Sequence, residues 1–449
     1  MSSTLSKLVS LLATAVSHAT LNPAVTGMLL WILTIGPAKI RNRLVNTVSA
    51  LRNPQTLARV TKILKGLLAL GLTRSINKTL NELALNGYRI NNEKRRWKWN
   101  EEIAVVTGGC SGIGLLVVKR LVLKGVKVAI LDIQQLPPAL QGYAGIQFFS
   151  CDIADPSAVA STADKVRATL GLPTILVNNA GITEPHPILD TSPEYLRKIF
   201  DVNVLSHWYT AQAFLPDMIQ KNKGHVVTVA SLGSFVTVAG MVDYTATKQA
   251  SFSLHEGLAV EARLKHKASN ILFTSVHPIW VRTPLINPLK VTLEAAGSKF
   301  LEPAEVANAI AEQILKCSGG QLILPASLGW LTWIRGLPNW LQERVRGKFA
   351  TTVLASIVKR EREARTAESQ TNTRSHGATN PRANSCAYAI EEAQQCTDIY
   401  SAQLVQTLDP TQRYVVSAGR NATKELKGFN VGLSDRKTLA YVSLKTSSS

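Results

Sequence analysis

The sequence has few cysteines, and their positions form no recognisable pattern. Five cysteines occur in 449 residues, without the paired or closely spaced arrangement typical of disulfide frameworks and zinc sites. This argues against a disulfide-stabilised scaffold and a cysteine-based metal site, and it favours a reducing compartment. We therefore predict no metal ligands and interpret Cys110 and Cys151 as packing residues.

Acidic residues are scarce in the first hundred positions. This region has 15 Lys and Arg against 2 Glu, so 13 of the 20 net positive charges lie there. Such an excess suits either nucleic acid or an anionic membrane surface. No nucleic-acid-binding motif accompanies it apart from the short basic and aromatic run 94–99, so no nucleic-acid partner is expected. We interpret Trp97 and Trp99 in that run as interfacial membrane anchors.

The sequence also lacks a long, clearly membrane-spanning apolar run. The uncharged segment 20–38 has 19 residues, which is marginal against the roughly 20 that a transmembrane helix needs. Basic residues such as Lys39 and Arg41 follow it, which predicts that the rest of the chain faces the cytosol. Residues 63–72 are more typical of an interfacial helix. A cleaved signal peptide and a buried core helix remain alternatives for 20–38.

A glycine-rich turn occupies residues 107–114, between a β-like run and a segment with helical periodicity. This context is typical of a dinucleotide site, in which glycines let the backbone approach a pyrophosphate at a helix N-terminus. The next predicted strand ends in Asp132, 18 residues after Gly114. A carboxylate there can accept hydrogen bonds from both ribose hydroxyls and would repel a 2′-phosphate. The sequence therefore favours NAD over NADP.

A hydroxyl, a phenol and an ammonium group follow at regular spacing. Tyr244 and Lys248 are four residues apart, which places them on one face of a helix. We predict that the ammonium lowers the pKa of the tyrosine and makes it a general acid and base. Ser231 ends an apolar run that reads as a buried strand. It can donate a hydrogen bond to the oxygen on which Tyr244 acts.

Together with two further motifs, these features resemble the short-chain dehydrogenase/reductase family over residues 100–325. The motifs are Asn178-Asn-Ala-Gly181 and Asp201-Val-Asn203. The resemblance implies an α/β fold with a Rossmann-like, doubly wound parallel sheet. It also implies that Tyr244 is the acid/base, that Lys248 supports it and holds the nicotinamide ribose, that Ser231 polarises the substrate oxygen, and that Asn203 holds a water in a proton relay.

The resemblance implies a cofactor-binding set as well. Its members are Gly108, Ser111, Gly112, Ile113, Gly114, Asp132, Asp152, Ile153, Asn179, Ala180, Gly181, Tyr244, Lys248 and Thr283. Trp208 and the segment 281–285 look most like the retinol and hydroxysteroid dehydrogenase branch. The chain departs from the family at Ile279, where glycine is usual. A β-branched residue disfavours positive φ, so this position puts the nicotinamide geometry in question.

The remaining sequence suggests four regions. We expect a basic membrane-associated region at 1–99, an NAD-binding domain at 100–325, an amphipathic tryptophan-rich element at 326–360 and a disordered tail at 361–449. The tryptophan-rich element either contacts a membrane or forms a lid over a lipophilic pocket. The expected location is the endoplasmic reticulum or a lipid droplet, and a homodimer is compatible with the sequence.

The predicted function is that of an oxidoreductase. It would transfer a hydride between NAD(H) and an alcohol or carbonyl on a lipophilic molecule such as a retinoid, steroid or long-chain lipid. One alternative is an NADPH-dependent reductase of lipid ketones, which Asp132 disfavours. Another is a catalytically slow membrane or lipid-droplet protein that keeps the fold.

Overall fold

The computed structural model describes residues 21–90, 94–295, 297–348, 353–354, 357–358, 431–433 and 440–442. Contacts divide the chain into two units, residues 1–363 and 364–449. In the second unit the structure describes one antiparallel strand pair, Val431–Leu433 with Ala440–Val442. The rest of the tail that we predicted to be disordered lies outside the described residues.

A seven-stranded parallel sheet forms the centre of the first unit, with the order β3-β2-β1-β4-β5-β6-β7. The predicted α/β, Rossmann-like doubly wound fold is therefore confirmed. All residues of the first strand are buried, as expected for a parallel strand covered on both faces. The strands are β1 (Ile103–Thr107), β2 (Lys127–Asp132), β3 (Ile146–Ser150), β4 (Ile175–Asn178), β5 (Gly224–Val229), β6 (Ile271–Pro278) and β7 (Gly320–Leu324).

Helices cover both faces of this sheet and precede it in the chain. They are α1 (Pro23–Thr34), α2 (Ala38–Thr47), α3 (Pro54–Leu85), α4 (Gly112–Val122), α5 (Pro156–Leu170), α6 (Pro193–Phe200), α7 (Ser206–Lys221), α8 (Val242–Leu264), α9 (Lys290–Ala295) and α10 (Pro303–Leu315). Local sequence sets several starts. Asp155 and Ser192 cap α5 and α6 with their side chains, and proline holds the first helical position in each.

The strand order reverses between β1 and β4. Connections on the two sides of this point run over opposite faces of the sheet, which opens a crevice at the carboxyl ends of the strands. The glycine turn after β1 and the segments after β4 and β5 meet at this crevice. The fold therefore brings the motifs predicted from the sequence to one edge of the sheet.

The three N-terminal helices pack on one another. Helix α1 lies against α3 where Gly71 leaves room, since a Cβ there would be 2.6 Å from the Leu21 carbonyl oxygen. In the part of the chain that the structure describes, no single helix is long and apolar enough to span a membrane. The pair α1 and α2 meets those criteria only together, and it bends by 101° at its break. A straight transmembrane helix over 20–38 is not confirmed.

Our interpretation of Trp97 as an interfacial anchor is wrong. Its side chain is 7 % exposed and belongs to the core beneath the sheet. Trp99 stacks on it with ring centroids 5.6 Å apart, and the Lys223 ammonium lies 4.9 Å from the centre of the Trp97 ring. The segment before β1 covers apolar surface at the amino ends of the strands, so its tryptophans are used for packing.

Candidate active site

A cavity of about 560 Å³ opens at the carboxyl edge of the sheet. Segments that follow β1, β2, β3 and β4 line one side, which we call the cofactor half. Segments that follow β5, β6 and β7 line the other, which we call the substrate half. All but two of the predicted site residues line the cavity, and the exceptions are Gly114 and Asn203.

The predicted catalytic side chains converge on this cavity. Tyr244 and Lys248 lie one turn apart on α8, and the Lys248 ammonium is 5.7 Å from the centre of the Tyr244 ring. Lys248 is 3 % exposed, and its Nζ donates a hydrogen bond of 3.0 Å to the Val229 carbonyl at the end of β5. Ser231 follows β5 directly. Strand β5 and helix α8 therefore place the three groups together.

Burial dominates the protonation of the tyrosine and lysine. It raises the pKa of Tyr244 to about 12, and the hydrogen bond with Ser231 offsets only part of this rise. Burial also lowers the pKa of Lys248 to about 8. The predicted lowering of the tyrosine pKa is therefore wrong for this structure, because loss of water from the phenol outweighs the opposing effect of the Ser231 side chain. At neutral pH Tyr244 is a neutral phenol and Lys248 is charged.

Backbone contacts hold the Ser231 hydroxyl in place. Its Oγ accepts a hydrogen bond of 3.1 Å from the Gly233 amide, which leaves the hydroxyl proton available for donation. The next serine, Ser234, donates to the Lys248 carbonyl over 3.0 Å. His277 Nδ1 lies 3.1 Å from the Ser231 carbonyl oxygen. Sequence reasoning gave neither Ser234 nor His277 a role, because only the tertiary fold brings Ser234 to the Lys248 carbonyl and His277 to the Ser231 carbonyl.

Asn203 lies beneath the catalytic groups, in a π-helical turn (Asp201–Leu205) between α6 and α7. Its fully buried amide bonds the backbone of Ile182 twice, accepting over 2.8 Å and donating over 2.9 Å, and donates to Thr247 over 3.1 Å. A Cβ at Gly181 would lie 3.2 Å from Asn203 Oδ1 and 3.4 Å from Lys248 Nζ. Asn203 therefore fixes the loop after β4 against the catalytic helix.

The glycine turn forms a cradle that larger residues would fill. Gly108 has φ +63°, and a Cβ there would be 2.9 Å from the Ala180 Cα. Gly114 lies behind the turn, where a Cβ would be 2.2 Å from the Gly108 carbonyl oxygen, so it serves packing rather than contact with a ligand. The Asn179 amide donates to the carbonyls of Thr107 and Gly108 over 3.0 and 3.1 Å. Ser111, Gly112 and Ile113, where α4 begins, line the cavity.

Asp132 connects the end of β2 to the glycine turn within the cofactor half. Its carboxylate accepts hydrogen bonds from the backbone amides of Cys110, over 2.8 Å, and Gln134, over 2.9 Å. Both oxygens keep further lone pairs, and the residue lines the cavity, so it can also accept ribose hydroxyls. Burial, with Asp132 nearby, raises the pKa of the Cys110 thiol to about 12. That thiol is inert, as a packing residue should be.

The other members of the predicted cofactor set fit a dinucleotide. They are Ser111, Gly112, Ile113, Asp152, Ile153, Asn179, Ala180, Gly181 and Thr283, and all of them line the cavity. A glycine cradle, a helix N-terminus and a carboxylate at the end of β2 are the groups that hold pyrophosphate and ribose. The residues present therefore fit NAD(P). Among the described residues, no cluster of three His, Cys, Asp or Glu side chains could hold a metal ion.

Ile279 fits its position without backbone strain. It does not adopt a positive φ, and its amide donates to the Leu324 carbonyl over 2.8 Å. Its side chain packs in a cluster with Leu232, Val236 and Leu331. The β-branched residue therefore carries no conformational penalty here, and its side chain contributes to the wall of the substrate half.

The segment after β7 covers the substrate half. We call the described residues of 326–358 the C-terminal cover. It contains a 3₁₀ helix (Ala326–Gly336), whose fully buried Leu331 lines the cavity. Farther on, Val353 and Ile357 are buried in a cluster with Met241, against which Tyr244 packs. The sequence left a lid and a membrane contact open for this element, and these contacts pack its inner face against the substrate half.

Comparison with known proteins identifies the family of this chain. The family model for short chain dehydrogenase matches residues 102–293. The chain is 36% identical over 212 residues to Dehydrogenase RED2 of Cochliobolus heterostrophus, covering 47% of this chain and 78% of that protein. It is 32% identical over 253 residues to human estradiol 17-beta-dehydrogenase 11, covering 55% and 82%. It is also 32% identical over 222 residues to human epidermal retinol dehydrogenase 2, covering 48% and 71%.

The chain belongs to the short-chain dehydrogenase/reductase family, whose members are oxidoreductases that use NAD(P). Steroid and retinol dehydrogenases are among its relatives, which agrees with the predicted resemblance to the retinol and hydroxysteroid dehydrogenase branch.

Proposed function

We propose that this protein transfers a hydride between NAD(H) and an alcohol or carbonyl carbon of a lipophilic molecule. The observation that carries the proposal is the convergence of Ser231, Tyr244 and Lys248 on one cavity. The bound nicotinamide would accept or supply the hydride. The protein's own groups manage the proton that accompanies it.

Each of these groups has a role that its surroundings support. In carbonyl reduction the neutral Tyr244 phenol donates its proton to the substrate oxygen, which Ser231 also holds. In alcohol oxidation Tyr244 must first lose that proton, and a charged Lys248 stabilises the resulting phenolate. Because burial lowers the pKa of Lys248 to about 8, this stabilisation is strongest below that pH. Asn203 positions the loop beside Lys248, and we retain for it the proposed role in proton relay.

The proposal for the cofactor is NAD rather than NADP. Asp132 places a negative charge at the end of β2, beside the glycine turn, where the adenosine ribose of a dinucleotide would lie. A 2′-phosphate there would meet this carboxylate at short range.

The proposed substrate is lipophilic because the substrate half offers apolar walls. They are formed by Val236, Val238, Met241, Ile279, Trp280 and Leu331. A steroid, a retinoid and a long-chain alcohol all match such walls, and the names of two relatives point to the first two.

Membrane association is part of the proposal. The N-terminal helices expose large apolar side chains, among them Met28, Trp31 and Ile35, next to the basic excess of the first hundred residues. These features support attachment to the endoplasmic reticulum or a lipid droplet, with the catalytic region facing the cytosol. Full-length protein should then sediment with membranes and be released by detergent but not by high salt. Release by high salt alone would show that the attachment depends only on charge.

The function is tested by profiling the purified full-length protein against lipophilic alcohols and ketones with each cofactor. We expect turnover of at least one lipophilic alcohol with NAD, and a clear preference for NAD over NADP. Turnover only with NADPH on ketones would replace this proposal by the reductase alternative. Binding of NAD without turnover of any substrate would favour a protein that keeps the fold without the reaction.

A further inference from the structure

The C-terminal cover has two faces of opposite character. In a 3₁₀ helix residues three apart lie above one another, and Ala326–Gly336 follows that period. Leu328, Leu331, Ile334 and Leu337 share one cluster with the wall of the substrate half. This inner face explains how the segment is held in place.

The outer face carries exposed tryptophans. Trp330 and Trp333, three residues apart, are 49 % and 68 % exposed, and Trp340 in the following helical turn is 65 % exposed. Tryptophan combines a large apolar ring with one polar N–H group and is enriched where hydrocarbon meets water. Exposing three such rings to water is costly unless another apolar phase covers them.

Positive charge predominates in the segment that carries these rings. Residues 326–348 contain four cations, Arg335, Arg344, Arg346 and Lys348, against one acid, Glu343. Each cation near an anionic membrane adds to the attraction. A second copy of this chain would present the same charges, so a symmetric contact would bring like charges together. The charge therefore favours an anionic lipid surface as the occupant.

The same segment reaches the reacting groups. Leu331, between Trp330 and Trp333 in the same 3₁₀ helix, lines the cavity, and the buried Val353 and Ile357 pack in the cluster that includes the Tyr244 ring. Displacement of the cover would therefore open the substrate half toward whatever phase its outer face touches.

We propose that the outer face of the cover docks on an anionic phospholipid surface, and that lipophilic substrate passes between that surface and the cavity beneath Leu331. The docking surface consists of Trp330, Trp333 and Trp340 with the neighbouring cations. The passage of substrate rests on the function proposed above, whereas the docking does not.

The kinetic test compares two substrates for each protein. Three proteins are compared: full-length wild type, the double variant Trp330→Glu/Trp333→Glu and the control Trp208→Glu. Each is assayed separately with a lipophilic alcohol held in vesicles and with a short water-soluble alcohol. Trp208 is a suitable control because it is 43 % exposed on α7 and does not line the cavity. Vesicles contain phosphatidylcholine and phosphatidylserine at about 7:3, to supply anionic charge.

We expect kcat/KM for the vesicle-borne alcohol to fall about tenfold or more in the double variant, because carboxylates beside anionic lipid oppose docking. The short alcohol should be turned over at the wild-type rate, and the control should match wild type on both substrates. An equal loss on both substrates, or no loss on either, would overturn the proposed passage.

A second measurement tests docking without any turnover. Vesicles with brominated acyl chains quench tryptophan emission at the membrane, and the triple variant Trp330→Phe/Trp333→Phe/Trp340→Phe removes the three indoles at issue. We expect a larger quenched fraction in wild type than in the triple variant. Equal quenching overturns docking, as does a wild-type dimer in light scattering that the triple variant fails to form. If wild type turns over no alcohol but shows the extra quenching, the proposed function fails and the docking stands.

Discussion

The two halves of the cavity are built in different ways. The cofactor half is polar and uses residues within short, contiguous motifs, such as the glycine turn and Asn179-Ala-Gly181. Apart from the polar groups at Ser231, Tyr244 and Lys248, the substrate half is largely apolar, and its apolar clusters combine positions from 232 to 357. The difference indicates that binding of a shared cofactor depends on local backbone geometry. Substrate choice depends instead on side chains that only the tertiary fold brings together.

Acid should disrupt both halves, because both depend on strands and helices that bury neutral histidines. Burial lowers the pKa of His207, His225 and His255 to about 3, and that of His277 to about 4. The unfolded chain takes up protons below about pH 6.5 that the folded chain cannot bind until its own lower pKa is reached. Stability should therefore fall as the pH drops from about 6.5 toward 4.

The expected loss is about 2 kcal/mol for each buried histidine at pH 5. Urea unfolding at several pH values between 7 and 5 measures the loss of unfolding free energy. The slope of that free energy against pH gives the number of protons taken up on unfolding, which should be about four at pH 5. A stability that does not change over this range would show that the histidines are protonated in the folded state.

Lys248 is the residue on which both halves depend. Lys248→Met removes the charge and keeps a side chain of similar length in the buried site. Turnover should fall by about 10² to 10⁴, because the proton transfer by Tyr244 loses its supporting charge. NAD affinity should also weaken, as the resemblance implies a contact with the nicotinamide ribose. Stopped-flow turnover and NAD titration measure the two effects. If neither turnover nor NAD affinity changed, Lys248 would have only a structural role.

Asp132 tests the cofactor half alone. Asp132→Asn keeps the hydrogen-bond acceptor for the Cys110 amide and removes the negative charge. The preference for NAD over NADP should narrow about tenfold, or about 1.4 kcal/mol, while the KM of the lipophilic substrate stays the same. Steady-state kinetics with both cofactors provide the comparison. If the preference for NAD over NADP did not change, another residue would have to determine the cofactor choice.

Leu331 tests the substrate half alone. Leu331→Ala removes a buried side chain from the cavity wall, with a loss of about 2 kcal/mol or more in apolar contact. We expect a several-fold higher KM for the lipophilic substrate and an unchanged NAD affinity. Thr332→Ala, next to it in the chain, is the matched control. A change in NAD affinity would mean that the two halves are not separate.

The sequence predicts the cofactor half well, for a physical reason. A glycine cradle and a carboxylate at a strand end leave a contiguous signature, and Gly108 and Asp132 lie where their motifs place them. The substrate half leaves no such signature. Leucine or isoleucine does recur at a period of three in 328–337, but 3₁₀ helices of this length are uncommon, so such a pattern would not predict one.

Two errors have the same origin. Trp97 was interpreted as a membrane anchor because its neighbours are basic, yet the end of the sheet beside it needed an apolar cover. The pKa of Tyr244 was expected to fall because Lys248 is near, yet the depth of burial decides its direction. The local sequence shows which residues are near a side chain in the chain. It does not show how far the folded protein excludes water from that side chain.

The most direct test of the account is the turnover of Tyr244→Phe alongside its affinity for NAD. The substitution removes only the phenolic oxygen, so the cofactor half should be unaffected and NAD should bind within about twofold of wild type. Turnover of the lipophilic alcohol should fall by about 10² to 10⁴. Retention of more than about a tenth of wild-type turnover would contradict the assignment of Tyr244 as the proton-transferring group.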